Sequence, residues 1–162
     1  MKNTHCLTQL AAAGIAVLLA GGASAQHSHE LLSPDTIKWE PMPRDWTNGP
    51  PPSFGTPTPP PEIAIMWGDP TKEGEPFLFR LRSSRLGIVP VPVHSHPTDE
   101  HITVLSGIFC GGEGDKFDAA NSKDMPAGSH IMLPNGMQHF AVAKDSVIEI
   151  YGIGPFKINW VK

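Results

Sequence analysis

His94-Ser95-His96-Pro97-Thr98-Asp99-Glu100 gathers three metal-ligand side chains within seven residues. On a β-strand, residues two apart project to the same face. The imidazoles of His94 and His96 therefore enter one space side by side, and Glu100 shares that parity if the chain bends at Pro97 without a bulge. A fourth candidate, His139, follows the turn Pro134-Asn135-Gly136 on a separate hairpin, which a barrel can bring opposite the first. Three neutral imidazoles and one carboxylate suit Fe, Mn, Ni, Cu or Zn, whereas Ca²⁺ prefers an all-oxygen shell.

Outward from this stretch the chain reads as short strands between turn signals. The predicted strands are Ile63 to Trp67, Phe77 to Arg82, Leu86 to Val93, His101 to Leu105, His130 to Leu133, His139 to Ala143, Val147 to Tyr151 and Lys157 to Val161. Between them lie Gly68-Asp69-Pro70, Lys72-Glu73-Gly74, Ser106-Gly107, Gly111-Gly112, Pro134-Asn135-Gly136, and Gly152 with Gly154-Pro155. No window sustains a helical period, and the best helical stretch, Asp118 to Lys123, is about one turn long. Many short strands with Gly/Pro turns predict an all-β sandwich or barrel. Pro90 and Pro92 suit a barrel rim or edge strand better than a central one. Phe79, Phe109, Phe140 and Tyr151 are expected to fill the barrel.

Three segments are expected. Residues 1–25 read as a signal peptide: Lys2 and His5, an apolar run from Leu7 to Ala20, then Ala23-Ser24-Ala25 as the cleavage pattern. The run is too short and too weakly flanked for a spanning helix. Residues 26–61 read as a polar and Pro-rich arm ending in Pro57-Thr58-Pro59-Pro60-Pro61, which favours extended geometry. Trp39, Trp46 and Phe54 argue that the arm wraps the domain, because loose tethers rarely carry large aromatics. Residues 62–162 read as the barrel. Gln26-His27-Ser28-His29 offers a weak Cu²⁺ or Ni²⁺ site in what reads as a disordered polar end.

Removing Lys2 with the leader takes the formal net charge from −4 to −5, which disfavours nucleic-acid binding. The expected location is periplasmic or secreted, with no membrane contact after cleavage. Cleavage also leaves Cys110 as the one cysteine, so no disulfide forms within the chain, and Cys110 reads as a small buried hydrophobe. By alternation His101 faces away from His94 and His96, while His130 fits either the pocket or the outer face.

The two clusters together resemble the motifs of the cupin family. The first cupin motif has His-x-His, three or four residues, Glu, six residues and Gly; here these are His94, His96, Glu100 and Gly107. The second has Gly, five residues, Pro-x-Gly, two residues and His; here these are Gly128, Pro134, Gly136 and His139. Order and spacing both agree. The chain departs from the pattern at Gly87, seven residues before His94 rather than six, and at Ala143, where Asn is usual. By motif the resemblance covers Gly87 to Ala143, and by strand pattern Glu62 to Lys162, in the manner of short exported bacterial cupins.

The resemblance implies a jelly-roll barrel, the double-stranded β-helix, holding one divalent metal ion on His94, His96, Glu100 and His139, with Fe or Mn favoured and Zn, Ni or Cu as alternatives. It implies a metal-dependent enzyme for a small oxygenated molecule, of oxygenase, isomerase, decarboxylase or lyase type. The alternative is a non-catalytic binder of a small ligand or of the metal. No general base is evident outside the ligand set. A homodimer is expected by analogy with other small single-barrel cupins.

Overall fold

Two long strands, each bent once, organise the molecule. In the computed structural model, which describes residues 31–50, 60–83 and 87–161, nine strands are formed. They are β1 (Glu40–Pro41), β2 (Glu62–Gly68), β3 (Pro76–Arg82), β4 (Ile88–Ser95), β5 (Glu100–Glu113), β6 (Lys123–Pro126), β7 (His130–Leu133), β8 (His139–Ile153) and β9 (Asn159–Trp160). They lie within the compact unit Leu32–Lys162. The predicted leader, the His27/His29 pair, Phe54 and Leu86 fall outside the described residues. Among the described residues no helix is long and apolar enough to cross a membrane.

β5 and β8 pair along their whole lengths and change their outer partners halfway. The second half of β8, Val147 to Ile153, pairs with β3, and the first half, His139 to Lys144, pairs with β4. The first half of β5 pairs with β7 and the second half with β6. One face of the fold is thus β1-β2-β3-β8-β5-β7 and the other is β9-β4-β8-β5-β6, with β5 and β8 shared. All these pairings are antiparallel. This is an all-β jelly-roll barrel: the strand pattern predicts a sandwich or barrel, and the resemblance to cupins implies the jelly roll.

Both shared strands fold over at one crease. β5 shows register shifts on either side of Ser106, and Gly107 sits at φ +70°. Opposite it, Asp145 adopts φ 44°. A Cβ on Gly107 would collide with the carbonyl oxygen of Asp145, so glycine is required both for the backbone conformation and for the close approach. Ser83 and Ser146 pin the crease from the side: Ser83 N donates to Ser146 O at 2.9 Å, and Ser146 N donates to Ser83 Oγ at 3.2 Å.

Four expectations are corrected here. Ser106-Gly107 and Gly111-Gly112 are not turns, because β5 runs through both. The two strands predicted at 139–143 and 147–151 are one, joined through the crease. The predicted helical turn is a short 3₁₀ turn at Ala119–Asn121, capped by the Asp118 carboxylate accepting from Ala120 N at 3.1 Å. Tyr151 does not fill the barrel: it is 42% exposed on the outer face, because Ile148 and Ile150 take the inward positions of β8. Phe79, Phe109 and Phe140 are buried as expected.

The core lies between the two faces. Trp46, Phe77, Phe79 and Phe156 form an aromatic cluster, with centroids 5.4 Å apart for Trp46–Phe79 and 5.0 Å for Phe79–Phe156. Edge-to-face packing of this kind adds to the area these rings bury. Trp46 reaches the core because β1 pairs with β2 and Thr47 bridges to Ile158. Cys110 is buried, and its thiol donates to Asp124 Oδ1 at 2.9 Å.

Candidate metal centre

Strand alternation alone would not bring the histidines inward. Val89 and Val91 pack with the core from odd-numbered positions of β4, whereas His94 and His96 are even. The register of β4 against β8 shifts between Val91 and His94, at Pro92. A bulge of this kind re-aims the side chains that follow it. The Pro92 carbonyl, set by the same irregularity, accepts from Nδ1 of His94 at 2.7 Å.

Glu100 joins the cluster by a different route from the one expected. It is not a continuation of β4 but opens β5 after the turn at Pro97–Asp99. His139 opens β8 and pairs directly with His94. The preceding turn is tied to the first motif: Gly136 N donates to His96 O at 2.9 Å, and Asn135 N donates to Asp99 Oδ1 at 2.8 Å. Gly136 has φ +74°, as the third position of a type II turn demands.

The four side chains converge and are all buried, with exposures of 4–5%. One ring nitrogen from each of His94, His96 and His139 lies within 4.8 Å of the others. Glu100 Oε2 is 3.2 Å from His96 Nε2 and 3.8 Å from His139 Nε2. The three Nδ1 atoms face backbone carbonyls: Pro92 O for His94, Lys157 O for His96 at 2.7 Å, and Met137 O for His139 at 3.0 Å. A carbonyl only accepts, so each Nδ1 carries the proton and each Nε2 presents a lone pair. Outer contacts of this kind fix the tautomer and ring orientation of metal-binding histidines. Among the described residues, three buried side-chain polar atoms have no hydrogen-bond partner, and two of them are here: His96 Nε2 and Glu100 Oε2.

Electrostatics agree with that arrangement. Burial lowers His96 to about 4, against the hydrogen bond to Lys157 O, and pushes Glu100 up to about 7, with His139 opposing. Burial also lowers His94 well below its usual value, helped by His139 and His96, and it lowers His139. The His96–Glu100 distance is that of an ion pair, yet near neutrality His96 is not an imidazolium. A lone pair facing a carboxylate at this range requires a cation or a shared proton between them. This donor set fits a transition metal ion.

His101 and His130 lie on the outer face, as alternation predicts for His101. His101 Nδ1 is 3.4 Å from His130 Nε2, and His130 Nδ1 is 2.9 Å from Thr103 Oγ1. Neither lines the cavity beside the cluster, which measures about 1040 Å³. Two cavity residues were not anticipated. Phe156 stacks on His96 with centroids 5.0 Å apart, and Trp160 packs on His94 at 5.4 Å. Alternation through Ile158 and Trp160 was the available signal for the second.

No family model and no curated protein matches the chain. Solved structures do. The polyketide cyclase RemF from Streptomyces resistomycificus aligns with TM-score 0.56 and 16% identity over 78% of this chain and 80% of its own. KdgF from Halomonas sp. aligns with TM-score 0.51 and 17% identity over 78% and 96%. An RmlC-like cupin from Shewanella frigidimarina aligns with TM-score 0.50 and 14% identity over 78% and 93%. The chain has the cupin fold, the double-stranded β-helix that its two motifs imply, with a buried His94/His96/His139 group able to hold a metal ion.

Proposed function

We propose that His94, His96, Glu100 and His139 bind one divalent transition metal ion, Fe or Mn in preference to Zn, Ni or Cu, and that the protein is a metal-dependent enzyme acting on a small oxygenated molecule. The observation that carries this reading is the set of three Nδ1–carbonyl hydrogen bonds, which leave three Nε2 lone pairs and the partnerless Glu100 Oε2 facing one another. A six-coordinate ion held by these four side chains would keep two positions for a substrate, the open arrangement that catalytic sites have. A metal bound here supplies Lewis-acid polarisation of a substrate oxygen. The chain's own part is to hold the imidazoles neutral and oriented and to shield the site with Phe156 and Trp160.

A second reading, a non-catalytic binder, is favoured by one observation. The charged residues lining the cavity beyond the cluster, including Arg44, Glu113 and Lys123, are exposed, so among the described residues no buried acid or base stands beside the site. Elemental analysis of the purified protein followed by a substrate screen separates the two. Turnover that vanishes in His96→Ala supports the enzyme. Stoichiometric metal without turnover supports the binder, and absence of metal under every reconstitution refutes the metal-binding reading.

Export and homodimer formation belong to the same proposal. An outward row of cross-strand neighbours, Met132, His101, Tyr151, Leu78 and Trp67, runs over the outer face and exposes Met132 by 47% and Trp67 by 57%. Such a row supports self-association. N-terminal sequencing of periplasmic material should start at Gln26. Light scattering at micromolar concentration should give twice the chain mass, and a monomer refutes the dimer.

A further inference from the structure

The buried wall of the cavity beside the cluster is mostly apolar. β8 presents His139, Ala141 and Ala143 in succession, so the wall from the cluster to Ala143 spans about 13 Å at the rise of an extended strand. Across it on β4 stand Val91 and Val89, and on the facing sheet Ile102, Ile150 and Ile148. Beside Ala143 stands Phe109, which pairs with both Ala143 and Met125 and also lines the cavity. Ser83 also lines the cavity, but its hydroxyl is engaged by Ser146. The charged lining residues are exposed. Beyond the four clustered side chains, among the described residues, one other buried side-chain polar atom in this wall lacks a partner: the indole Nε1 of Trp160, whose ring packs on His94.

The lining decides what chemistry the site accepts. A sugar or polyol carries a hydroxyl on nearly every carbon, and each would lose water here without gaining a partner. A hydrocarbon body meets valine, isoleucine, alanine and phenylalanine along the whole path and gains from burial. Along the buried part of the wall, among the described residues, oxygen atoms find free partners near His94, where the cluster and the Trp160 N–H lie together.

We propose that the substrate is an elongated, mostly apolar molecule bearing its oxygen functions at one end, with that end at the His94–His96–Glu100–His139 cluster and the hydrocarbon body reaching toward Ala143 and Phe109. This rests on the metal-binding reading above for the polar end and on the cavity lining for the body.

The test uses the full chain loaded with Zn²⁺, a redox-silent probe metal, and three hydroxamates measured by calorimetry. Acetohydroxamate supplies the chelating end alone. Hexanohydroxamate adds four methylenes, and gluconohydroxamate has the same six carbons with hydroxyls on five. Hexanohydroxamate should bind on the order of 10²-fold more tightly than acetohydroxamate, from the usual burial gain per methylene. Gluconohydroxamate should bind no better than acetohydroxamate. Ala143→Leu should cut the hexano-to-aceto ratio at least fivefold; should that variant not fold, the wild-type series decides alone. A gluconohydroxamate that equals or exceeds hexanohydroxamate, or a chain length without effect, overturns the proposal. A metal-free arm separates the two readings: EDTA-treated protein should take up N-phenyl-1-naphthylamine, and octanol but not sorbitol should displace it. Dye uptake without Zn²⁺ binding refutes the metal reading and leaves the apolar site standing. Zn²⁺ binding without chain preference does the reverse.

Discussion

Replacing Glu100 with Gln should make the metal-free protein more stable and the metal-loaded protein less so. Glu100 faces His96 Nε2 at 3.2 Å and His139 Nε2 at 3.8 Å, both without protons of their own. Burial raises the Glu100 carboxyl from its ordinary 4.5 to about 7. Below pH 4.5 the folded and unfolded states both hold the proton and the group contributes nothing. Between 4.5 and 7 the unfolded chain releases it first, so stability falls as pH rises. Above 7 the loss is complete. At about 1.4 kcal/mol per pH unit, the gap sets a ceiling of about 3 kcal/mol. A neutral Gln amide removes that penalty and can donate to the His96 Nε2 lone pair. The three histidines, lowered by burial, act in the opposite direction as pH rises toward 6.5, so the informative quantity is the difference between wild type and Glu100→Gln, not either curve alone.

The assay is urea unfolding of EDTA-treated protein at pH 5 and pH 8.5. With a slope of about 1–3 kcal/mol/M, the midpoint of Glu100→Gln should exceed that of wild type by roughly 1–2 M at pH 8.5, and the difference should shrink markedly at pH 5. Adding Zn²⁺ at about 100 times its Kd should stabilise wild type by about 2.7 kcal/mol and the variant by far less at the same concentration. Should wild type prove the more stable at pH 8.5 without metal, the carboxylate is satisfied by something other than a missing cation, and the metal-site argument loses its electrostatic support.

Three further outcomes follow from the geometry. His94→Ala should weaken metal binding by more than about 100-fold, because even outer-shell partners of ligands are worth about 10–100-fold; His101→Ala and His130→Ala, on the outer face, should leave metal stoichiometry by elemental analysis unchanged. Trp160→Phe keeps the ring against His94 but removes the partnerless Nε1–H, and should cost about fivefold in hydroxamate affinity, equally for short and long chains, as one neutral hydrogen bond is worth about 1 kcal/mol. Gly107→Ala should destabilise by about 2–4 kcal/mol in urea unfolding, combining left-handed strain with a collision against the Asp145 carbonyl.

What the sequence made legible was the chemistry of the cluster; what it hid was the path by which the chain brings the cluster together. His94 and His96 share a face because alternation is a local rule, and it holds after the irregularity at Pro92. That irregularity also inverts their parity relative to Val89 and Val91, which no count along the strand could reveal because it depends on the pairing with β8. Ser106-Gly107 has the local chemistry of a turn, and a turn it would be with a free partner strand. Instead Asp145 approaches from β8, and the same glycine becomes the crease that lets one strand serve both faces. Ala143 shows the reverse case. In the sequence it was a departure from the cupin pattern, Ala where Asn is usual, and no more. Paired with Val89 and Phe109, it is part of an apolar wall of the cavity, and the departure bears on the proposed substrate. On the proposed reading, the four ligand positions of the motifs hold the ion, while the apolar wall that includes Ala143 sets what reaches it.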